Sequence, residues 1–223
     1  MVRKVLIGLV TLVALISLLG INANAQNGRF EIIPAYSFMS NQFGDGRLGN
    51  HGYALDINYN FNDNIGLTAS FSGNHGGGVP YSYSNDYSYA YHQTQDFVTG
   101  VFGPSFYHHA GNFRMFLHGL AGFSHGRYSV REFDPTCTSG CTDFSNRMER
   151  GTGFGLVGGG GLDYHNNGHW GWRIFQADYV FGNINADGLY TCDECTPVHT
   201  HNAWAINNVR VVTGLIFRFG GTR

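Results

Sequence analysis

The residues best suited to specific chemistry are four cysteines and two histidines in the second half of the chain. They are Cys137 and Cys141, Cys192 and Cys195, and then His199 and His201. Cys192 and Cys195, together with His199 and His201, could bind a tetrahedral Zn²⁺. The two histidines are closer in sequence than the histidine pair of most structural zinc sites. The C-x2-C pair could instead be a thiol redox site. In an oxidising compartment, four cysteines favour two disulfides; local pairs are preferred, and the sequence leaves the connectivity open.

A serine–histidine pair is the other candidate for catalysis. Ser124 is followed directly by His125, and Glu132 lies a little further along the chain. Hydrolysis through a serine needs a base bound to the hydroxyl and a carboxylate that orients the base, and such triads are recognised by geometry. This arrangement matches no motif, so we expect no enzymatic activity and no cofactor.

A tyrosine-rich segment offers a contact surface rather than reactive groups. Its tyrosines are Tyr81, Tyr83, Tyr87, Tyr89 and Tyr91, and most of their neighbours are Ser, Asn or Asp. Tyrosine combined with small polar residues is typical of adaptable binding surfaces. The alternation predicts an exposed β-extension, which could recognise a glycan, a host surface or a phage.

Alternation with period two is the dominant pattern in the elements that must position these residues. Between Tyr53 and Phe61, aromatic and aliphatic residues occupy one face, and Asp56 and Asn58 belong to the other. After a tight turn at 62–64, the same pattern resumes. These two segments therefore form a hairpin with one apolar face and one polar face.

Eight such strands are predicted along the chain. They cover about 29–38, 53–61, 65–72, 93–107, 113–125, 153–164, 170–181 and 207–219. Short connections at 62–64, 108–112 and 165–169 alternate with long ones at about 39–50, 73–91, 126–150 and 182–203. Short turns on one side and long loops on the other are typical of outer-membrane barrels. The predicted fold class is all-β, an eight-stranded antiparallel up-and-down transmembrane β-barrel.

The polar faces of these strands predict a charged barrel interior. Its members are Asp56, Asp163, Asp178, Arg210 and Arg218. Eight strands enclose a space that side chains can just fill. We therefore expect a buried network of paired charges that plugs the barrel. The alternative is a narrow path for water or ions, since a wide, porin-like pore needs more strands.

The N-terminus predicts export. Arg3 and Lys4 precede an apolar run from Val5 to Leu19, and Ala23-Asn24-Ala25 provides a small-x-small cleavage site. Residues 1–25 therefore form a predicted signal peptide, and residues 26–223 a single barrel domain. Without Arg3 and Lys4, the chain keeps 11 of its 13 basic residues against 15 acidic ones, a net charge of −4. This balance disfavours nucleic acid as a partner.

Three stretches resemble the outer-membrane β-barrel family, in particular its small OmpA/OmpX-type members. They are residues 158–164, residues 173–179 and the closing strand at 207–219. The last stretch ends on the aromatic Phe219, which is similar to the signal by which the barrel-assembly machinery recognises its clients. The resemblance implies a location in the bacterial outer membrane, with membrane lipid and the assembly machinery as partners.

The sequence favours a structural or surface-interaction role, through long external loops that contact an extracellular ligand. Two alternatives stay open: a narrow ion or water channel, and an outer-membrane enzyme that modifies lipid. One further expectation concerns the glycine-rich stretch from Gly151 to Gly161, which has few side chains. We expect a bulky group to pack there, either aromatics of a neighbouring strand or another protomer.

Overall fold

The computed structural model describes residues 29–43, 46–78, 81–83, 88–133, 145–166, 169–192 and 197–219. The predicted signal peptide at residues 1–25 lies outside these ranges and stays a prediction. Within the described residues, no helix has the length and apolarity needed to cross a membrane.

The described residues form nine β-strands. They are β1 (Phe30–Phe43), β2 (Gly46–Asn60), β3 (Ile65–Gly78), β4 (Tyr81–Tyr83), β5 (Ser88–Ala110), β6 (Phe113–Phe133), β7 (Ser145–His165), β8 (Trp170–Cys192) and β9 (Val198–Phe219). Strand β4 is a three-residue segment that pairs with β5.

Eight of these strands close into an antiparallel ring. The order is β1-β2-β3-β5-β6-β7-β8-β9, and the ring closes where Phe30 of β1 lies opposite Phe219 of β9. The predicted fold class is therefore confirmed. Strand β1 begins and strand β9 ends on the side of the short turns.

The predicted extent of the long connections is wrong, because strands occupy most of them. The β6–β7 pairing continues from Phe113 to Glu132, and the β8–β9 pairing reaches Tyr190. The predicted turn at 108–112 is also too long. Its first three residues, 108–110, belong to β5, and the turn itself contains Gly111, whose φ of 63° favours glycine.

Side chains alternate between the two sides of the barrel wall as predicted. Outside, large apolar groups are exposed, among them Phe102 at 65% and Leu117 at 67%. Tyrosines and tryptophans lie on the same side towards the strand ends, including Tyr59 and Trp170. Inside, most polar side chains are fully buried. The outer surface is thus an apolar belt, and the buried polar side chains lie on the inner surface.

Strand β8 contains the one irregularity that changes which residues face inward, among the described strands. Its register against β9 shifts between Arg173 and Gln176, and its register against β7 shifts at the same level. An extra residue in one strand reverses the alternation beyond it. As a result, Arg173 on one side of the bulge and Gln176 and Asp178 on the other all point into the lumen.

Pro34 interrupts one ladder without shifting its register. Strand β1 pairs with β9 up to Ile32 and again from Ala35, and the intervening residues have no partner on that side. Proline donates no backbone hydrogen bond, so a gap in one ladder is the expected local cost.

Candidate functional site

The first candidate site is a network of charges inside the lower barrel, on the side of the short turns. Glu31 of β1 and Arg114 of β6 face each other across the lumen and form two hydrogen bonds, at 2.8 and 2.7 Å. Asn58 of β2 donates to the same carboxylate at 3.1 Å. A bidentate, charge-assisted pair is among the strongest polar contacts in proteins.

Asp163 of β7 connects this pair to a second arginine. It accepts from Arg114 Nη2 at 2.9 Å and from Arg173 Nε at 2.8 Å. Arg173 also donates through Nη1 to Asp56 of β2 at 2.6 Å and to Gln176 at 2.6 Å. The two guanidiniums therefore extend across the lumen and bridge strands on opposite sides.

Asp178 of β8 is the centre of the upper part of the network. Its Oδ2 accepts from Gln176 Nε2 at 2.7 Å and from Arg210 Nη2 at 2.6 Å, and its Oδ1 lies 2.9 Å from His118 Nε2. Arg210 Nη1 donates to Ser72 at 2.7 Å, and Ser72 is bound to Thr99. Each of the eight ring strands thus contributes at least one side chain.

The structure places four of the five predicted interior charges inside this network. They are Asp56, Asp163, Asp178 and Arg210. Arg218 is half-buried near the end of β9, where its Nη2 donates to the carbonyl of Asn166 at 2.5 Å. The prediction missed Glu31, Arg114 and Arg173. Simple alternation in β1 and β6 would have found the first two.

Two glycines of β7 make room for the network. A Cβ on Gly159 would lie 2.3 Å from Asp178 Oδ1, and a Cβ on Gly161 would lie 2.9 Å from the Phe116 ring. The Arg173 guanidinium lies over the same ring, 4.3 Å from its centroid. A neighbouring strand's aromatic therefore packs on the glycine-rich stretch, which is one of the two arrangements expected.

An apolar layer crosses the lumen above the charges. Its buried members are Met39, Phe97, Val101, Leu120, Val157, Val180, Ile184 and Ala186, with Ile206 packed against them. Five ring strands contribute to the buried set. Together with the two crossing arginines, this layer fills the space that eight strands enclose.

The geometry separates the residues of the candidate catalytic pair. Ser124 is fully buried on the inner face of β6, whereas the adjacent His125 points outward and lies 2.8 Å from Thr152 Oγ1. Neighbouring residues of a strand point to opposite faces, so these two side chains cannot share a proton. The side chain of Glu132 lies outside the described part of the structure.

The second candidate site is the external sheet, formed where the strands continue beyond the apolar belt. Strand β1 ends at Phe43, and its last pairing with β9 joins Ser40 to Val209. Residues 198–208 of β9 pair with β8 on one side, and no described residue pairs with them on the other. The ring is therefore closed at the belt and open above it.

Of the residues predicted for metal, disulfide and ligand binding, those that the structure describes lie towards the top of this sheet. Cys137, Cys141, Cys195 and Tyr87 fall outside the described residues, and Cys192 is the last residue of β8. Tyr81 and Tyr83 lie on β4, and Tyr89 and Tyr91 on β5. His199 and His201 are exposed on β9, and His201 Nδ1 lies 2.6 Å from Asp187. Disulfides and zinc binding stay predictions.

No protein-family model matches the sequence, and no curated protein matches it either. Solved structures do match. The outer membrane protease OmpT from Escherichia coli is similar over 89% of this chain and 98% of its own, at 10% identity and a TM-score of 0.52. A major outer membrane protein from Thermus thermophilus is similar over 85% and 99%, at 10% identity and a TM-score of 0.51. The chain therefore has the fold of the outer-membrane β-barrel proteins.

Proposed function

We propose that this chain is a bacterial outer-membrane protein whose barrel anchors an external β-sheet, and that the sheet binds an extracellular partner. The observation that carries the proposal is the open edge of β9 at residues 198–208. An unpaired edge presents backbone N–H and C=O groups to which an extended segment of another chain can add as a strand.

The apolar belt supports the membrane location. On β6 the outward residues are apolar or glycine from Phe113 to Phe123, a length that matches the roughly 9–11 residues of a tilted membrane-crossing strand. Hydrocarbon offers no partners to backbone polar groups, so a membrane-crossing sheet must close into a ring, as this one does. Outer-membrane lipid and the barrel-assembly machinery are the partners that this location implies.

The filled interior favours a surface role over a narrow channel. Arg114 and Arg173 extend across the lumen, and the apolar layer lies above them. The lipid-modifying alternative loses its candidate pair, since Ser124 and His125 point to opposite faces. The similarity to a protease concerns the fold, and a shared fold does not imply a shared activity.

A matched pair of hairpin truncations tests the proposal. In the first variant, an Asn-Gly turn joins Ile184 to Trp204, which are cross-strand neighbours in the native protein. This variant lacks residues 185–203 and therefore most of the open edge. Joining Ser40 to Gly49 in the same way shortens the β1–β2 hairpin and leaves that edge intact. Peptides selected from a random library on the native protein in vesicles should bind the second variant and lose binding to the first.

Equal binding of the selected peptides to both truncations would contradict the proposal. The barrel itself is checked separately on unboiled gels, where a folded barrel migrates faster than the boiled chain. Unit conductance steps of the native protein in planar bilayers would favour the channel alternative.

A further inference from the structure

A row of charged and titratable side chains follows the outward face of the sheet across seven strands. Each member lies directly opposite the next in the strand register. In order around the barrel, the row is His51, His75, Asp96, Arg127, Arg150, Asp187 and His201. Near its middle, two arginines are direct cross-strand neighbours.

The two aspartates of the row are engaged by histidines rather than by the arginines. Asp96 lies 2.5 Å from His75 Nδ1, and Asp187 lies 2.6 Å from His201 Nδ1. Within the described part of the chain, neither Arg127 nor Arg150 forms an ion pair with a carboxylate. Arg127 instead directs Nη2 towards the sulfur of Met148, at 3.4 Å.

Like charges directly opposite each other on a sheet repel, so this pair destabilises the isolated protein. Both arginines are exposed, and Arg131, further along the same face of β6, is exposed as well. An anion between the guanidiniums would remove the repulsion, and a phosphate matches their planar arrangement of donors.

The position of the pair indicates where such an anion lies. Phe123 of β6 is opposite Phe154 of β7 in the apolar belt, and both rings are about half exposed. The next outward pair is His125 and Thr152, and the one after it is Arg127 and Arg150. The arginines thus follow the belt on the external side, at the level where lipid headgroups meet water.

We propose that Arg127 and Arg150, with Arg131 beside them, bind the phosphate groups of a phosphorylated glycolipid in the outer leaflet. The inference rests on the membrane location proposed above. The lipid's acyl chains would lie along the belt residues Phe123 and Phe154, so the same molecule contacts both surfaces. A lipid bound in this way would fix the height and tilt of the external sheet.

The test uses the full chain folded into phosphatidylcholine vesicles, with diphosphoryl lipid A as the probe. Fluorescence titration gives the dissociation constant, and native mass spectrometry counts the bound lipid. Arg127→Gln and Arg150→Gln should each weaken binding about fivefold, the usual contribution of one basic residue at an anionic membrane surface. Arg29→Gln, at the opposite end of the barrel, is the control with the same change in charge and should bind like the native chain.

Three results would overturn the inference while leaving the membrane location intact. The first is equal affinity of Arg127→Gln and Arg29→Gln. The second is equal binding of dephosphorylated lipid A. The third is displacement of the lipid by inorganic phosphate or a soluble sulfated polysaccharide at matched ionic strength, which would assign the arginines to a free anion or a glycan. Failure of the native chain to insert into vesicles, read from the heat-shifted gel band, would overturn both proposals.

Discussion

The lower barrel and the external sheet are formed by the same strands, but they differ in whether key polar groups have partners within the described chain. In the lower barrel the ring is closed, and charged side chains such as Arg114 and Asp163 are buried and paired with one another. In the external sheet, the β9 edge has no described partner along residues 198–208, and the pair Arg127–Arg150 has no described carboxylate.

This difference distinguishes the residues that should determine stability from the residues that should determine binding. Groups that are satisfied within the chain stabilise its fold, and their loss leaves a buried charge without a partner. Groups left open on a surface contribute little to folding and are free to bind. Substitutions in the lower barrel should therefore change unfolding, whereas substitutions in the external sheet should change binding.

The largest effect is expected for Arg114→Met. This change removes the arginine that pairs with the buried Glu31 carboxylate, leaves that carboxylate with the Asn58 amide, and removes one of the two arginines that contact Asp163. Breaking a buried pair from one side costs about 3–5 kcal/mol of unfolding free energy. Urea titration of the barrel in vesicles, followed by the heat-shifted gel band, measures the loss.

The double variant Arg114→Met with Glu31→Met is the control for this prediction. Replacing both members of a buried pair by apolar groups is often close to neutral. We expect the double variant to be more stable than Arg114→Met alone. A double variant that is less stable than the single one would mean that the two residues act independently, and the paired network would be wrong.

A smaller effect is expected for Gly159→Ala in β7. The added Cβ would lie 2.3 Å from Asp178 Oδ1 and 2.3 Å from the Ala177 carbonyl oxygen. Overpacking of this kind costs about 1–3 kcal/mol. The adjacent Gly158→Ala is a close control, because its Cβ points outward and meets no atom within 4 Å. Equal urea midpoints for the two variants would contradict the packing of Asp178 against β7.

Alternation alone predicts the ring and most of its interior. Asp56, Asp163 and Arg210 belong to strands in which every second residue is polar or small, so their direction can be assigned from the sequence. Glu31 and Arg114 follow the same rule between apolar neighbours. The rule holds in a closed membrane barrel because a shift of the strand register by one residue would turn a whole polar face towards lipid.

Arg173 could not be predicted from alternation, and the reason is local. Asp178 faces inward, so strict alternation places Arg173 on the outside. The bulge between Arg173 and Gln176 reverses the direction and brings both residues into one network. The sequence from Trp172 to Gln176 contains no glycine that would signal a bulge, and only the register of β7 and β9 reveals it.

The external strands were underestimated for a different reason. Above the belt no lipid selects an apolar outer face, so the outward residues of β8, such as Asn185 and Asp187, are polar and the apolar outward pattern of a membrane-crossing strand ends there. Backbone pairing with neighbours then determines the structure there. The open edge follows from the unequal lengths of the β1–β2 and β8–β9 hairpins, which composition does not encode.

The smallest change in stability is expected for Ala205→Lys, on the open edge of β9. Ala205 is exposed and lies opposite Asn183 of β8. Exposed substitutions usually change the unfolding free energy by less than about 0.5 kcal/mol, whereas lysine on an edge strand opposes the addition of another strand. The peptides selected on the native protein should therefore lose affinity, with an unchanged urea midpoint.

Asn183→Lys is the control, since it places the same charge on the directly opposite residue of a strand that is paired on both sides. It should keep both the midpoint and the affinity for the peptides. Equal loss of binding in the two variants would point to general charge repulsion rather than to the edge. A midpoint for Ala205→Lys as low as that of Gly159→Ala would show that the external sheet contributes to folding as the lower barrel does, and the division between the two regions would fail.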